Sequence, residues 1–473
     1  MKHANSTSHL SVKERAKNAV QDEFLRNAVR FTTDRLRNRK QAVTESFGQW
    51  EVWRERGEQI RAHTIANLDA YLAQFIERLE AVGVHVHFAV DSSEATDAVL
   101  SIIQSKKARK VVKSKSMVSE EIHINQHLKA NGITVVETDL GEYIIQLAKE
   151  TPSHIIIPSI HKSREQIRDL FENAGATQLT TETRDLTAFA RRTLRSEFLS
   201  AEIGITGCNF GIAETGSVVL FTNEGNADMV MNLPPTHIVL MGMERILPTL
   251  ADLEVMAHLL PKSATGQNVI TYMSMLTGPK RSADRDGATE MHVVILDNGR
   301  SRQLGDEQFQ AVLHCIRCGA CLNVCPVYRH MGGHAYGSVY PGPIGAVLSP
   351  LLEKGEQYSD LPYASSLCGA CFEACPVRIP LHDMLVQHRQ KLVASGHGNP
   401  SERMAFKRYE NIFAKPGRYR LSIKMARKFL SPLAKEGKIR SSFGPLAGWT
   451  KSRDFPMLPK QSFREIWPSL KRE

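Results

Sequence analysis

The chain has 473 residues, 42% of them hydrophobic and 23% charged, enough for two or more separately cored domains and inconsistent with overall disorder. Its longest apolar runs are strand-sized, none approaching the eighteen or so residues of a bilayer span, and the start from Met1 to Ser6 has no apolar core; neither a membrane span nor a signal peptide is expected, and the cytoplasm is the expected compartment. The net charge of +10 is uneven: residues 381–473 hold 20 Lys and Arg against 7 Asp and Glu, which suits a nucleic acid, an anionic membrane surface, an acidic partner or a solvated helical face.

Residues 1–80 are predicted to be a helical N-terminal region, because Ile60, His63, Leu68, Tyr71, Leu72, Phe75, Ile76 and Leu79 recur mostly at three- and four-residue steps with charges between them. From Val84 the period changes. Short β-branched runs at 84–90, 110–113, 133–137 and 154–157 alternate with helical stretches such as 92–106 and 119–131, the order of βαβ units around a mainly parallel sheet. Further strands are predicted at 217–222, 237–241, 269–273 and 292–297, so that one α/β domain accounts for residues 81–300. Asp297, Asn298, Gly299 and Arg300 read as a turn, and Asp306 as the cap of a helix with Phe309, Val312 and Leu313 on one face. That helix leads into a cysteine-rich domain at 301–385. Residues 386–473 form a basic helical C-terminal region, interrupted by Pro416, Pro432, Pro445, Pro456 and Pro459.

Seven of the eight cysteines fall into two runs, the one internal repeat in the chain. Disulfides are rare in the cytosol, so clustered cysteines read first as metal ligands. The first run, Cys315-x2-Cys318-x2-Cys321-x3-Cys325-Pro326, has the spacing of bacterial ferredoxins, in which three thiolates converge on one iron–sulfur cubane and the fourth faces a second cluster. Gly319 lets the backbone pass close to an inorganic core. The second run, Cys368-x2-Cys371-x3-Cys375-Pro376, places Ser365 where a first cysteine would stand. By the crossed logic of two-cluster ferredoxins, Cys315, Cys318, Cys321 and Cys375 hold cluster one, a [4Fe-4S] cluster, while Cys325, Cys368 and Cys371 hold cluster two. Cluster two is then either [4Fe-4S] with one non-cysteine ligand or [3Fe-4S].

The plain alternative is zinc, which prefers a closed set of four Cys or His ligands. His330 and His334 follow Cys325 at a gap much shorter than a zinc finger loop. Haem attachment is excluded, since neither Cys-x-x-Cys is followed by His. Cys208 is the eighth cysteine, either a small buried thiol or, if the α/β domain folds back over the cysteine module, the missing ligand of cluster two.

The segments 113–117 (KSKSM), 137–142 (ETDLGE), 212–217 (IAETGS), 223–226 (NEGN) and 340–345 (YPGPIG), with the two cysteine runs, resemble the lactate utilization protein B family over nearly the full length. The resemblance implies a LUD domain at 81–300, related to the sugar-isomerase and CoA-transferase folds, followed by a region similar to the helical ferredoxins of respiratory complexes. It also implies participation in oxidising L-lactate to pyruvate, with this subunit relaying electrons and partner subunits contributing elsewhere. Some members of the family have a complete second cysteine run, from which Ser365 departs. In CoA-transferase relatives a glutamate can be the nucleophile, which singles out Glu214 and Glu224; turn chemistry at the two ends of the 217–222 strand is the plainer account. Lys113 and Lys115, at a strand end, are either an anion site or surface lysines. No glycine-rich dinucleotide fingerprint and no phosphate loop is present, so neither nicotinamide nor nucleotide binding is expected. Three functions remain: an electron-transfer subunit, a self-contained enzyme using the open iron of cluster two or a LUD-domain glutamate, and a redox-sensing nucleic-acid binder working through the basic tail; the tail has no recognised binding motif and only scattered aromatics, so no nucleic acid is expected.

Overall fold

The computed structural model describes residues 10–353, 357–397, 400–440 and 447–470, in two compact units divided in sequence between Lys391 and Leu392. Four helices open the first unit, α1 (Val12–Ala19), α2 (Glu23–Phe47), α3 (Trp50–Ala66) and α4 (Leu68–Ala81). The side chains of Ser11 and Asp22 cap the first two by accepting backbone N–H groups of the opening turn. Of the apolar stripe, Ile60, Leu68, Phe75 and Leu79 are buried, and Tyr71, Leu72 and Ile76 pack against them. His63 is exposed and bonds instead to the Tyr71 hydroxyl.

The α/β part of this unit carries two sheets. Its strands are β1 (His85–Ala89), β2 (Lys110–Lys113), β3 (Thr134–Glu137), β4 (Ile203–Thr206), β5 (Phe210–Ile212), β6 (Ser217–Thr222), β7 (Thr236–Gly242), β8 (Ile246–Leu247), β9 (Tyr272–Leu276) and β10 (Glu290–Leu296). Six of them form one sheet in the order β1-β10-β7-β4-β2-β3, and every pairing in it is parallel. β4 and β7 are buried at every residue, as strands covered on both faces must be. The second sheet, β8-β5-β6-β9, is mixed, with one parallel and two antiparallel pairings.

The structure departs from the periodicity in four places. Residues 154–157 are not a strand but part of a bent segment: the His154 ring turns back on its own chain, its Nδ1 accepting the N–H groups of Ile156 and Ile157, and Ser153 N–H closes onto the Pro158 carbonyl. The strand expected at 269–273 lies slightly later, as β9. The helix expected over 119–131 is two, Met117–Glu121 and Ile124–Ala130, broken at His123 in a left-handed conformation. After Asp306 the chain forms a short 3-10 turn, Gln310–His314, in place of a longer helix.

In the second unit two helices, Pro400–Phe413 and Pro416–Leu430, account for most of the regular structure. Among the described residues no helix is long and apolar enough to cross a membrane.

Candidate metal centre

The two cysteine runs fold alike. In each, the residue before the second ligand position and the glycine after it are left-handed: Arg317 and Gly319 with φ of 60° and 73°, Leu367 and Gly369 with 55° and 78°. One-turn helices follow, Ala320–Val324 and Ala370–Ala374, and both end on a cysteine of extended backbone, Cys325 (φ −72°, ψ 118°) and Cys375 (φ −73°, ψ 121°). Proline can follow because its missing N–H falls in the first turn of whatever comes next. The first side chain of each run takes the same bond. Cys315 Sγ accepts the Arg317 N–H at 3.4 Å, and Ser365 Oγ accepts the Leu367 N–H at 3.1 Å.

The chain crossing brings the thiols into two sets. Cys315, Cys318, Cys321 and Cys375 line one cavity together with Ile155, Ile344 and other apolar side chains. Burial raises the pKa of Cys318 to about 12, with the nearby Cys375 and Cys315 adding to it; burial likewise raises Cys321 and Cys375. In the second set, burial pushes Cys371 up to about 12, and its thiol neighbours are Cys325 and Cys368. Cys368 is exposed and Cys325 buried. Such thiols are protonated on their own, so several buried thiolates can coexist only around a bound cation.

A single tetrahedral zinc fits poorly. Four thiolates at the Zn–S distance of about 2.3 Å would lie under 4 Å apart, whereas among the described residues no three cysteine sulfurs lie within 4.8 Å of one another. The wider spacing around a shared cavity suits a larger inorganic core, and backbone N–H groups already point at the thiols: Tyr328 at Cys325 (3.5 Å) and Ile379 at Cys375 (3.4 Å). The buried Tyr336 hydroxyl finds no hydrogen-bond acceptor, and the Cys325 thiol is its neighbour, so a thiolate there would supply one.

Helices α2 and α3 bring cations to this module, a role the apolar stripe gave no sign of. Lys40 donates to the Ala374 carbonyl, Arg54 to the carbonyls of Cys375 and Phe372, both at 2.9 Å, and Arg61 to those of Leu313 and Ile246. The α/β domain supplies the cover. Ile155 lines the cavity, and His154 bonds through Nε2 to Asn323 Oδ1 at 3.1 Å. With Nδ1 accepting two N–H groups, the ring proton sits on Nε2. Burial, then Lys115, lowers its pKa to about 3 and keeps it neutral.

The remaining residues singled out in the sequence take plainer roles. Cys208 lies beside Arg245, whose guanidinium donates to the Cys315 carbonyl at 2.9 Å. The α/β domain therefore does fold back, but it brings Cys208 to the side of Cys315. Lys113 is buried and already bonded to Ser119 (2.8 Å), Glu120 (3.0 Å) and Glu137 (2.9 Å), leaving nothing for an anion; Lys115 is 3.9 Å from Glu142. Glu214 accepts the Leu250 N–H, and Glu224 accepts the Asn223 N–H and the Thr222 hydroxyl of its own turn. His330 bonds to the Pro326 carbonyl and His334 to that of Thr151. Glu150, His161 and His334 do converge, but Glu150 is held by His161 and Lys162, as an ion-pair network requires no metal.

Residues 72–296 match the LUD domain, 311–379 the 4Fe-4S dicluster domain, and 386–471 the domain described as lactate utilisation protein B, C-terminal. Among curated relatives, the lactate utilization protein B of Oceanobacillus iheyensis is 50% identical over 459 residues, 97% of this chain and 96% of the relative. That of Geobacillus thermodenitrificans is 51% identical over 454 residues, 96% and 95% of the two chains, and that of Bacillus subtilis 50% identical over 455 residues, again 96% and 95%.

Proposed function

The chain belongs to the lactate utilization protein B family and serves lactate utilization, and within that role we propose that it is the electron-carrying subunit of a system oxidising L-lactate to pyruvate. The observation that carries this is the pairing of two cysteine sets across the repeat. Cys315, Cys318, Cys321 and Cys375 hold cluster one; Cys325, Cys368 and Cys371 hold cluster two, with Ser365 in the fourth position. Each bound cluster supplies a one-electron carrier, so two of them suit a reaction that releases an electron pair. The rest of the site is built to shelter such carriers: His154 and Ile155 exclude water from one side, and Lys40 and Arg54 anchor the C-terminal end of the one-turn helix that leads to Cys375.

The all-parallel six-stranded sheet is in keeping with the sugar-isomerase and CoA-transferase type of fold expected from the resemblance, here used as a docking body. Lactate itself is handled by partner subunits, since the chain has no flavin or nicotinamide fingerprint and its candidate glutamates are occupied as turn acceptors. Anaerobic iron and sulfide analysis with EPR before and after reduction tests the reading. Two clusters are expected in the whole chain and one fewer in Cys318→Ala; zinc without sulfide would overturn it. Lactate-to-pyruvate turnover by this polypeptide alone, with an artificial acceptor, would favour the self-contained enzyme instead.

A further inference from the structure

The second unit holds 18 Lys and Arg against 6 Asp and Glu over residues 392–473, and its two long helices have no buried residue. The helix Pro416–Leu430 contains five cations, Arg418, Arg420, Lys424, Arg427 and Lys428, and no acid. Leu421, Met425 and Phe429 follow one another at steps of four, so they form one stripe along the helix. They are 61%, 51% and 68% exposed. Arg420, Lys424 and Lys428 repeat the same step one position earlier and form an adjacent stripe, all three exposed. The helix Pro400–Phe413 adds Phe406, Tyr409 and Phe413, each more than half exposed, and the two helices touch through Phe413 and Tyr419, whose rings lie 5.2 Å apart.

An exposed apolar stripe costs free energy unless something covers it, and the neighbouring row of cations restricts what that can be. Duplex nucleic acid would engage the cations and leave Leu421, Met425 and Phe429 in water. A bilayer of anionic lipid answers both rows at once: apolar side chains enter the acyl boundary while lysine and arginine stay at the phosphates, the arrangement of an amphipathic helix lying in the interface plane. We infer that the helix Pro416–Leu430 docks this protein peripherally on anionic membrane surfaces. The docking is independent of cluster content, because no cysteine lies in the second unit.

The test is flotation of the anaerobically purified full-length protein with vesicles of phosphatidylcholine alone or mixed with phosphatidylglycerol. Binding is expected only to the mixed vesicles and is expected to fall as salt rises. The charge variant Arg420→Gln/Lys424→Gln/Lys428→Gln should bind on the order of 100-fold more weakly, each cation near the surface contributing about fivefold. The apolar variant Leu421→Ser/Met425→Ser/Phe429→Ser should lose binding while keeping its helicity and its cluster absorbance. Absence of binding to the mixed vesicles at low salt overturns the inference. So does binding that both variants retain. If the apolar variant instead changes the mass measured in solution by light scattering, with no vesicle binding by the parent, the stripe is an interface between copies of the chain.

Discussion

Ser365 stands where Cys315 stands in the first run, and its hydroxyl takes the corresponding backbone hydrogen bond. A serine oxygen is a harder and more basic ligand than a thiolate, so an iron held there is labile at neutral pH. Protein exposed to air is expected to show a three-iron EPR signal that Ser365→Cys suppresses while raising the iron content. An unchanged spectrum and iron content in that variant would remove Ser365 from the site. Lys40 acts at the other set. Its Nζ donates to the Ala374 carbonyl and faces Cys318, Cys375 and Cys321, whose pull opposes the lowering of its pKa by burial. Positive charge nearby favours the reduced state. Lys40→Gln should therefore lower the midpoint potential of cluster one and leave that of cluster two in place, read by an EPR-monitored redox titration. Equal shifts of both would mean that the substitution acts through packing.

The repeated elements differ in what covers them. Gly319 and Gly369 are both left-handed, so alanine at either costs about 1–2 kcal/mol of backbone strain. At Gly369 an added Cβ would meet nothing within 4 Å, whereas at Gly319 it would lie 3.2 Å from Ile156 Cγ1 and 3.3 Å from His154 Cε1. Gly319→Ala should accordingly destabilise the cluster-loaded protein more than Gly369→Ala and make cluster one more accessible to oxygen. Anaerobic denaturant titration and the rate of cluster bleaching in air check both points, and equal losses would show that the 151–160 segment yields freely.

Across the first unit, the α/β part and the cysteine module are joined by a buried ionic network. Arg300 pairs with Glu121 at 2.8 Å and with Glu244 at 2.6 Å; Glu244 also meets Arg317 at 3.4 Å, and the Tyr340 hydroxyl donates to Glu121 at 2.6 Å. Burial would raise the pKa of Glu244, but Arg300, then Arg317 and Arg245, outweigh it and hold the carboxyl at about 2. Removing one member of such a network leaves an uncompensated charge and costs about 3–5 kcal/mol, the loss expected for Glu244→Gln in denaturant unfolding. Because the folded-state pKa is depressed below the ordinary carboxylate value of about 4.3, the contribution of Glu244 is complete above that pH and disappears as pH falls towards 2. The stability gap between the parent and Glu244→Gln should close over that window, and a gap that persisted to the lowest pH would argue that packing alone is at stake.

The cysteine spacing, the offset of Ser365 and the order of helices and parallel strands were legible in the sequence, because each rests on neighbours a few residues apart: ligand steps, a period of 3.6 and β-branched runs. Residues 154–157 show the limit of that logic, since an apolar run reads as a strand while the His154 ring, bonding back to its own backbone, makes it a cover over the cavity. Lys40 reaching Ala374, Arg54 reaching Cys375, Arg317 meeting Glu244, and Cys208 lying on the Cys315 side all join residues far apart in the chain, and no local period records such pairs. Tertiary structure alone decided them, because a buried cation takes whichever carbonyl or carboxylate the packing brings within reach of its charge.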